Sequence, residues 1–387
     1  MISKRIKNLT PSATLSLDAK VKNLKSKGID VINLGLGEPD FQTPQNIKEA
    51  AKKAIDKGFT HYTQTDGIKE LREAISKKYL RETGVLYKTN EIIVGTGSKQ
   101  LLYSLFQTIL DKGDEVIFSL PTWNTYVEQV KLAEGKPVFV KLKPPFKLTL
   151  KDLKEKINKK TKAILLNTPS NPTGAVIEKS ELLKIANFAK TMKILIICDE
   201  IYKEIIYGKK SFSIVSLNKK IKENTVLING VSKAYAMTGW RIGFALGPEE
   251  IINGMNSLQG QMTSNASSIG QYAALEAVSG DQKSVKEMAS EFSKRRSLVL
   301  KELSSIKGLG IIKPEGAFYF FVSIEDLLNN KYPISSKWCE SLLEKEKIAV
   351  VPGEAFLYPG YFRLSFTAPE KELKRGIERI KKFVESK

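Results

Sequence analysis

Residues Thr225–Leu246 read TVLINGVSKAYAMTGWRIGFAL, in which two apolar runs enclose a polar turn. The first run, Thr225–Asn229, has the length and composition of a buried strand, and the second run is Arg241–Leu246. Ser232 and Lys233 follow the end of the first run. Because ligands of open α/β sheets bind beyond the ends of the strands, this arrangement predicts a polar site next to a buried sheet.

Similar apolar runs alternate with amphipathic segments over about residues 91–246. The strand-length runs are Glu91–Gly95, Glu115–Ser119, Ala163–Asn167, Ile194–Cys198, Thr225–Asn229 and Arg241–Leu246. The helical segments between them include Ser98–Leu110, Thr122–Ala133 and Lys179–Lys190, with apolar residues recurring every three or four positions. This alternation predicts an α/β fold with a mostly parallel sheet between two layers of helices.

The pattern changes after Ser264, where long helical stretches reach about Ile306. Short strands are predicted at Gly310–Lys313, Phe318–Val322, Ile348–Val351 and Phe362–Phe366, and a final helix from about Pro369. We therefore predict a large domain over residues 46–280 and a smaller α+β domain over residues 281–387. Residues 1–45 lie outside the βα pattern and are expected to form an arm that packs with the small domain.

Composition excludes several classes of protein. No apolar run of the 387 residues approaches the roughly 18 needed to span a bilayer, and the start of the chain leads into no signal-like segment. We therefore expect a cytoplasmic protein without a membrane partner. Two cysteines, Cys198 and Cys339, are too few for a disulfide framework or a thiolate zinc site. One histidine, His61, argues against Ser-His-Asp hydrolases and most metalloenzymes, so no metal is expected and His61 receives no role.

The formal charge of +20 raises the question of a nucleic-acid partner. The chain has 53 lysines and 9 arginines, with acidic residues interleaved throughout, which is typical of a solvated lysine-rich surface. We therefore expect no nucleic-acid partner. Because arginine is scarce, an arginine at a position that requires a planar two-bond donor is informative.

Polar residues follow the ends of four predicted strands. Ser98 follows the first, Asn171 the third, Asp199 the fourth, and Ser232 and Lys233 the fifth. Each residue alone could cap a helix or form a turn. Together, at the edge where α/β sheets bind ligands, they predict one shared pocket.

The segment Ser232–Arg241, SKAYAMTGWR, resembles the cofactor-lysine signature of the class I/II aminotransferases, which depend on pyridoxal 5′-phosphate (PLP). Further blocks similar to those of the family occur along the chain, in the order in which the family has them. They are Gly35–Phe41, His61–Thr63, Gly97–Gln100, Asn167–Gly174, Asp199–Tyr202 and Arg363–Ser365. The resemblance spans essentially the whole chain, is closest to the prokaryotic-type aspartate aminotransferases, and implies fold type I of PLP enzymes.

The resemblance implies specific roles in holding the cofactor ring. Lys233 would bind the cofactor aldehyde covalently and, once displaced by substrate, would move a proton from the substrate Cα. Asp199 would pair with the protonated pyridine nitrogen. Tyr202 and Asn171 would contact the phenolic oxygen, and Trp123 would stack on the ring.

The phosphate would be bound at the start of the helix that follows the first strand. Gly97, Ser98 and Lys99 open that helix, and the resemblance adds the Ser232 hydroxyl and the Arg241 guanidinium. Tyr62 resembles a tyrosine that reaches across a subunit interface to the phosphate of the neighbouring cofactor. The resemblance therefore implies a homodimer with shared active sites.

The resemblance also implies a substrate site. Arg363 would clamp the α-carboxylate by a two-bond pair, with the backbone around Gly37 closing from the arm and with Trp123 and Asn171 lining the substrate side. Lys99, helped by Ser12 and Thr14, would meet a distal carboxylate. The implied reaction is ping-pong transamination of aspartate or glutamate with 2-oxoglutarate or oxaloacetate.

Three alternatives remain at this point. Aromatic and prephenate aminotransferases share the same blocks, and a PLP-dependent β-eliminating lyase would need the same carboxylate clamp. A DNA-binding regulator with an aminotransferase-like domain would carry a winged-helix domain ahead of it. Only 34 residues precede Gly35, which we take as too few for that domain.

Overall fold

The structure, a computed structural model, describes residues 1–386 and is built around a seven-stranded sheet. The strands are β1 Ile32–Asn33, β2 Ile92–Gly95, β3 Glu115–Leu120, β4 Lys136–Lys141, β5 Thr161–Asn167, β6 Leu195–Asp199, β7 Thr225–Gly230, β8 Gly243–Leu246, β9 Tyr319–Ser323, β10 Ile348–Ala349, β11 Val351–Pro352 and β12 Tyr361–Ser365. The helices are α1 Lys4–Lys7, α2 Ala13–Ser26, α3 Gln45–Asp56, α4 Lys69–Thr83, α5 Ser98–Ile109, α6 Asn124–Leu132, α7 Leu150–Lys154, α8 Lys179–Thr191, α9 Glu249–Met262, α10 Ser268–Ser279, α11 Lys283–Ser304, α12 Ser335–Glu346 and α13 Glu370–Glu385.

The central sheet has the order β2-β8-β7-β6-β5-β3-β4. Strands β4, β3, β5, β6 and β7 are parallel, whereas β8 is antiparallel to both of its neighbours. The predicted α/β fold with a mostly parallel sheet is therefore confirmed. The prediction omitted β4, an edge strand that is only partly buried and has lysine at both ends.

Helices cover both faces of the sheet, and alternate strand residues divide between the two cores. In β2, Ile92 and Val94 belong to the apolar core that includes residues of α3, α4, α8 and α10, whereas Ile93 belongs to the core that includes residues of α5, α6 and α9. All three side chains are fully buried, and each contributes roughly 1.5–3 kcal/mol by leaving water. Within residues 1–386 no helix has the length and apolar character needed to cross a membrane.

A separate three-stranded sheet, which is antiparallel and has the order β11-β12-β9, packs with α11, α12 and α13 around a second apolar core. Trp338 of α12 stacks on Phe362 of β12 in this core, with 5.3 Å between the ring centroids. The predicted strand at Gly310–Lys313 is wrong, since only Gly310 forms an isolated bridge, to Ser323. The segment instead crosses between the two cores, because Ile311 and Ile312 pack against different apolar clusters.

The N-terminal residues are tied to the C-terminal part of the chain. Strand β1 pairs in parallel with β10, so that Ile32 lies opposite Ile348. The Ser365 amide donates to the Leu34 carbonyl at 2.7 Å, and the guanidinium of Arg295 pairs with Asp40 at 2.8 Å. These contacts hold residues 32–40 across the end of β12.

Three glycines let the start of α5 lie directly against β7 and β8. Gly97 precedes the helix with φ of +81°, in a conformation that L side chains rarely adopt. A Cβ at Gly230 would lie 2.9 Å from the Ser98 hydroxyl, and one at Gly243 would lie 2.6 Å from the Gly97 carbonyl carbon. The helix N-terminus therefore reaches the sheet edge only because these side chains are absent.

Replacing Gly243 by Ala should destabilise the protein, because the new methyl group would press on the backbone of Gly97 and Ser98 rather than on a flexible side chain. We expect the free energy of unfolding to fall by roughly 1–3 kcal/mol, as overpacked sites show. Urea unfolding measures the change. Gly239→Ala is the matched control, since its Cβ would meet open space. Equal stability of the two variants would contradict the packing argument.

Candidate active site

A cavity of about 490 Å³ lies at the edge of the central sheet where the parallel strands end. Its wall brings together residues from the strand ends, from α2 and from β12. The sequence-predicted residues in the wall are Thr14, Gly37, Ser98, Lys99, Trp123, Asn171, Asp199, Tyr202, Ser232, Lys233, Arg241 and Arg363. The structure therefore groups residues that are up to 349 positions apart, from Thr14 to Arg363, around one space.

The topology explains why Arg241 reaches this edge. Because β8 is antiparallel to β2 and β7, its first residue, Gly243, pairs with the last residues of both neighbours, Gly95 and Gly230. Arg241 precedes β8 and so lies at the edge where the parallel strands end. It has φ of +58°, and its Nη1 donates to the Thr238 carbonyl at 2.8 Å.

Three predicted residues lie outside the cavity wall. Gly97 lies behind the guanidinium of Arg241, where a Cβ would come within 2.6 Å of Nη2. Ser12 caps α2 by accepting from the Leu15 amide, and its hydroxyl lies 3.0 Å from that of Thr14. Tyr62 is 88% exposed on the surface.

Asp199 is 3% exposed and ends the buried strand β6. Its Oδ2 accepts from the Tyr126 hydroxyl at 2.7 Å, and its Oδ1 accepts from the Ile201 amide at 3.0 Å. Burial raises the pKa of Asp199 to about 6, while these two hydrogen bonds and the charge of Lys233 oppose the rise. The carboxylate is therefore mainly ionised at neutral pH and calls for a cationic partner.

Lys233 follows β7 and points into the same cavity, where its amine donates to the Gly37 carbonyl at 2.5 Å. Burial lowers the pKa of Lys233 to about 8, and the nearby charge of Glu38 opposes this shift. Arg363 and Arg241 add to the lowering. A lowered pKa leaves more of the amine neutral near physiological pH, which is the form that acts as a nucleophile or a base.

Arg363 lies on β12 and is 2% exposed. Its Nη1 donates to Asn171 Oδ1 at 3.0 Å and its Nη2 to the Gly35 carbonyl at 2.7 Å, while its Nε has no partner within residues 1–386. The guanidinium lies 4.3 Å from the ring centroid of Tyr319. This buried cation is thus held by neutral groups on several sides.

The part of the cavity wall at the start of α5 contains cations and a hydroxyl group. Ser98 opens α5, and the amine of Lys99 lies 4.9 Å from the Trp123 ring centroid. Burial and, next, the Arg241 guanidinium lower the pKa of Lys99. Two neighbouring cations at a helix N-terminus form a site for an anion. Among residues 1–386 no group of three or more His, Cys, Asp or Glu side chains could hold a metal ion.

The cavity wall also contains residues that were not predicted from the sequence, and Tyr126, Tyr319 and Glu38 are three of the polar ones. The Tyr319 hydroxyl lies 2.9 Å from that of Tyr202, and Glu38 accepts from the Thr238 hydroxyl at 2.6 Å. Both tyrosines stand in apolar patterns, so the sequence alone suggests ordinary core residues. Glu38 could have been found, since it lies within the block Gly35–Phe41.

The family model for aminotransferase class I and II matches residues 29–380. The chain belongs to the aminotransferase class I and II family. It is 45% identical to an aspartate aminotransferase of Bacillus sp. (strain YM-2), with 99% of each chain covered. It is 47% identical to a probable aspartate/prephenate aminotransferase of Aquifex aeolicus, covering 99% of this chain and 98% of the relative.

Solved structures of this family have the same fold. The aspartate aminotransferase of Rhizobium meliloti matches with a TM-score of 0.95 and 40% identity, over 100% of this chain and 99% of its own. The Thermus thermophilus enzyme solved with maleate matches with a TM-score of 0.94 and 40% identity, over 99% of each chain. The predicted family, enzyme class and fold are therefore confirmed, and enzymes of this family depend on PLP.

Glu200 follows Asp199 directly, just beyond the end of β6, but is not part of the cavity wall. Its Oε1 accepts from the Ser213 hydroxyl at 2.6 Å and from the Ile214 amide at 3.0 Å. Burial raises the pKa of Glu200 to about 7. The neutral acid is therefore the form that the fold favours, in contrast to neighbouring Asp199.

This difference predicts the pH dependence of stability. The pKa of Glu200 in the folded chain lies above the value of about 4.3 in an unfolded chain. The contribution of Glu200 to the free energy of unfolding is therefore fully present below about pH 4.3 and is lost as pH rises through about 7. Between about pH 5 and 8, the free energy of unfolding should fall relative to Glu200→Gln by up to roughly 3 kcal/mol. Urea unfolding across this range measures the difference. Exposed Glu250→Gln is the control, and a similar pH profile for both variants would contradict the assignment.

Proposed function

We propose that the cavity binds PLP and transfers an amino group between an amino acid and a 2-oxo acid, with aspartate or glutamate as donor and oxaloacetate or 2-oxoglutarate as acceptor. One observation carries the proposal. The buried carboxylate of Asp199, the amine of Lys233 with its lowered pKa, and the cation of Arg241 line the same cavity. Membership of a PLP-dependent family supports this interpretation.

The chemistry of the wall fits the three polar features of PLP. The phosphate dianion suits the cationic end of the cavity, where Ser98, Ser232 and Arg241 surround the N-terminus of α5. The aldehyde suits the Lys233 amine. The ring nitrogen, when protonated, suits the ionised and buried Asp199. Each group thus meets a residue of complementary chemistry.

When bound, PLP supplies an electron sink for the electrons released at the substrate Cα. The side chains of the chain then have distinct tasks. The Asp199 carboxylate would hold the proton on the ring nitrogen, and the Trp123 side chain would stack on the ring. Tyr202 and Asn171 would hydrogen-bond the phenolic oxygen of the ring, as the family resemblance implies. The Lys233 amine would accept the proton from the substrate Cα and deliver it to C4′ of the cofactor, which its lowered pKa favours.

Arg363 would hold the substrate α-carboxylate. Its guanidinium is buried, its Nε lacks a partner within residues 1–386, and Asn171 and the Gly35 carbonyl fix its orientation. A carboxylate forms two parallel charge-assisted bonds with such a fork, whereas a lysine offers only a point charge. This pairing would place the substrate Cα beside Lys233 in the same cavity.

Lys233→Ala tests the proposal directly. The unchanged protein should attach PLP covalently at residue 233, as borohydride trapping and peptide mass analysis would show. The variant should lack this attachment and should lose at least about 100-fold in transamination rate, since both the nucleophile and the proton carrier are removed. Lys210→Ala, at an exposed position, is the matched control. Covalent attachment and normal turnover in Lys233→Ala would refute the assignment.

The choice of an acidic substrate rests on Lys99. This amine lines the cavity with Thr14, and its pKa is lowered by burial and then by the nearby positive charge of Arg241. A second anion near Lys99 would relieve that repulsion. The relatives named as aspartate aminotransferases, and the Thermus thermophilus enzyme solved with maleate, a dicarboxylate, support such a site.

Prephenate is a second candidate substrate, because the Aquifex aeolicus relative is named a probable aspartate/prephenate aminotransferase. Prephenate also carries two carboxylates, so the same two cations could bind it. A panel of acceptors that includes prephenate and phenylpyruvate separates an acidic preference from an aromatic one.

We also propose that two copies of the chain form the working enzyme. Tyr62 is 88% exposed and lies outside the cavity of its own chain. Such exposure suits a residue that reaches the phosphate end of the cavity in a second copy, as the family resemblance implies. Dimers of this kind are most simply two-fold symmetric.

Lys99→Ala tests the substrate assignment. Loss of a charge-assisted bond costs roughly 1.5–3 kcal/mol, so kcat/KM for aspartate should fall by about tenfold or more. The kcat/KM for alanine, which has no distal carboxylate, should change little. Lys112→Ala, at an exposed position, controls for general charge loss. Equal losses for aspartate and alanine would show that Lys99 serves the phosphate instead of substrate choice.

A further inference from the structure

Tyr126 lies between two residues that the proposed function places on the cofactor ring. It is 2% exposed on α6, and its hydroxyl donates to Asp199 Oδ2 at 2.7 Å. Its ring packs edge-on against Trp123, with 5.2 Å between centroids, and parallel to Phe118 at 6.4 Å. One side chain thus contacts both the carboxylate and the aromatic face of the cavity.

The hydrogen bonds of Asp199 come from rigid elements. The Ile201 amide donates to Oδ1 at 3.0 Å, and the Asn167 side chain donates to the backbone carbonyl of Asp199 at 3.1 Å. The Tyr126 hydroxyl is the side-chain donor to the carboxylate. Donors to a carboxylate favour its ionised form and fix its plane. Both properties are required of a group that must pair with a cationic ring nitrogen.

The other titratable groups near Asp199 would not replace this donor. Lys233 approaches from the end of β7, but its amine donates to the Gly37 carbonyl. Tyr202 lies on the same segment as Asp199, and its hydroxyl pairs with that of Tyr319. Cys198, the adjacent residue, has a thiol whose pKa is raised by burial. Without Tyr126 the carboxylate would keep the Ile201 amide and the distant charge of Lys233.

We propose that Tyr126 is a positioning residue whose hydroxyl keeps Asp199 ionised and oriented toward the ring nitrogen of PLP. The assignment rests on the proposed cofactor binding and extends it to a residue outside the motifs of the sequence. Burial raises the pKa of Asp199, and the Tyr126 hydrogen bond opposes that rise. Removing the hydroxyl therefore moves the pKa of Asp199 upward, into the neutral range where the enzyme works.

Packing alone does not account for the Tyr126 hydroxyl. A phenylalanine would keep the contacts with Trp123 and Phe118, and a buried tyrosine needs only some acceptor for its hydroxyl. Tyr207 shows the ordinary solution, since its buried hydroxyl donates to the backbone carbonyl of Ala317 at 2.6 Å. At Tyr126 the acceptor is instead the carboxylate that would hold the cofactor.

The test compares Tyr126→Phe with Tyr207→Phe. The full chain is freed of cofactor, and the dissociation constant of PLP is measured by absorbance and fluorescence titration between about pH 6 and 9. In Tyr126→Phe we expect about tenfold weaker binding near pH 6.5, where Asp199 becomes partly protonated, and convergence with the unchanged protein near pH 9. Tyr207→Phe should bind PLP as the unchanged protein does at every pH.

A double-mutant cycle with Asp199→Asn separates positioning from packing. If Tyr126 acts through the carboxylate, Tyr126→Phe should weaken PLP binding no further in the Asp199→Asn background. A loss that is the same at every pH, or that adds fully to that of Asp199→Asn, would overturn the assignment in favour of packing. A Tyr126→Phe chain that fails to fold would do the same.

The test also distinguishes this assignment from the function on which it rests. If the unchanged protein forms no borohydride-stable PLP adduct at Lys233, the proposed function fails and the role of Tyr126 fails with it. If that adduct forms normally while Tyr126→Phe shows no pH-dependent loss of affinity, only the role of Tyr126 is wrong.

Discussion

The placement of the Asp199 carboxylate at the buried end of β6 constrains most of the surrounding structure. An ionised carboxylate with 3% exposure is costly unless donors and a cation compensate it. The Ile201 amide and the Tyr126 hydroxyl supply the donors, and Lys233 supplies nearby positive charge. Burial raises the pKa of Asp199 and lowers that of Lys233. The same environment therefore gives Asp199 a need for a cationic partner and gives Lys233 an amine that loses its proton more easily.

Strand direction determines which polar and charged residues lie near Asp199 at the edge of the sheet. The parallel strands bring Ser98, Asp199 and Lys233 to one edge, and the reversal of β8 brings Arg241 to that edge as well. Close approach of α5 depends on glycines in the strands beside it. The cavity is therefore acidic at the end of β6 and cationic at the start of α5, a polarity suited to a molecule with a cationic ring and an anionic phosphate.

The sequence predicted the fold well, because the inner strands β5, β6 and β7 are continuous apolar runs that only a sheet covered on both faces would bury. It could not predict the reversed direction of β8, since an apolar run carries no information on whether its partner is parallel. Ser98, Asn171, Asp199, Ser232 and Lys233 were found because they share polar positions at strand ends, whereas the other predicted site residues came from the family resemblance. Tyr126 and Tyr319 were not, because a tyrosine in an apolar pattern gives the same signal whether its hydroxyl meets a backbone carbonyl or a catalytic group.

Neutral backbone groups stand where the proposed substrate and cofactor would bring charge. The Lys233 amine donates to the Gly37 carbonyl, and Arg363 donates to the Gly35 carbonyl two residues earlier. Hydrogen bonds between an ion and a neutral carbonyl are weaker than those between opposite charges, so the Gly35 carbonyl can orient Arg363 without neutralising the charge that an incoming carboxylate would bind. A carboxylate side chain in these places would instead form a buried ion pair that the substrate would have to break. The carbonyl groups of Gly35 and Gly37 thus give Arg363 and Lys233 hydrogen-bond partners that do not compete strongly with substrate or cofactor. The absence of side chains on this segment also leaves room for its neighbours, since a Cβ at Gly37 would lie 2.9 Å from the Tyr319 hydroxyl.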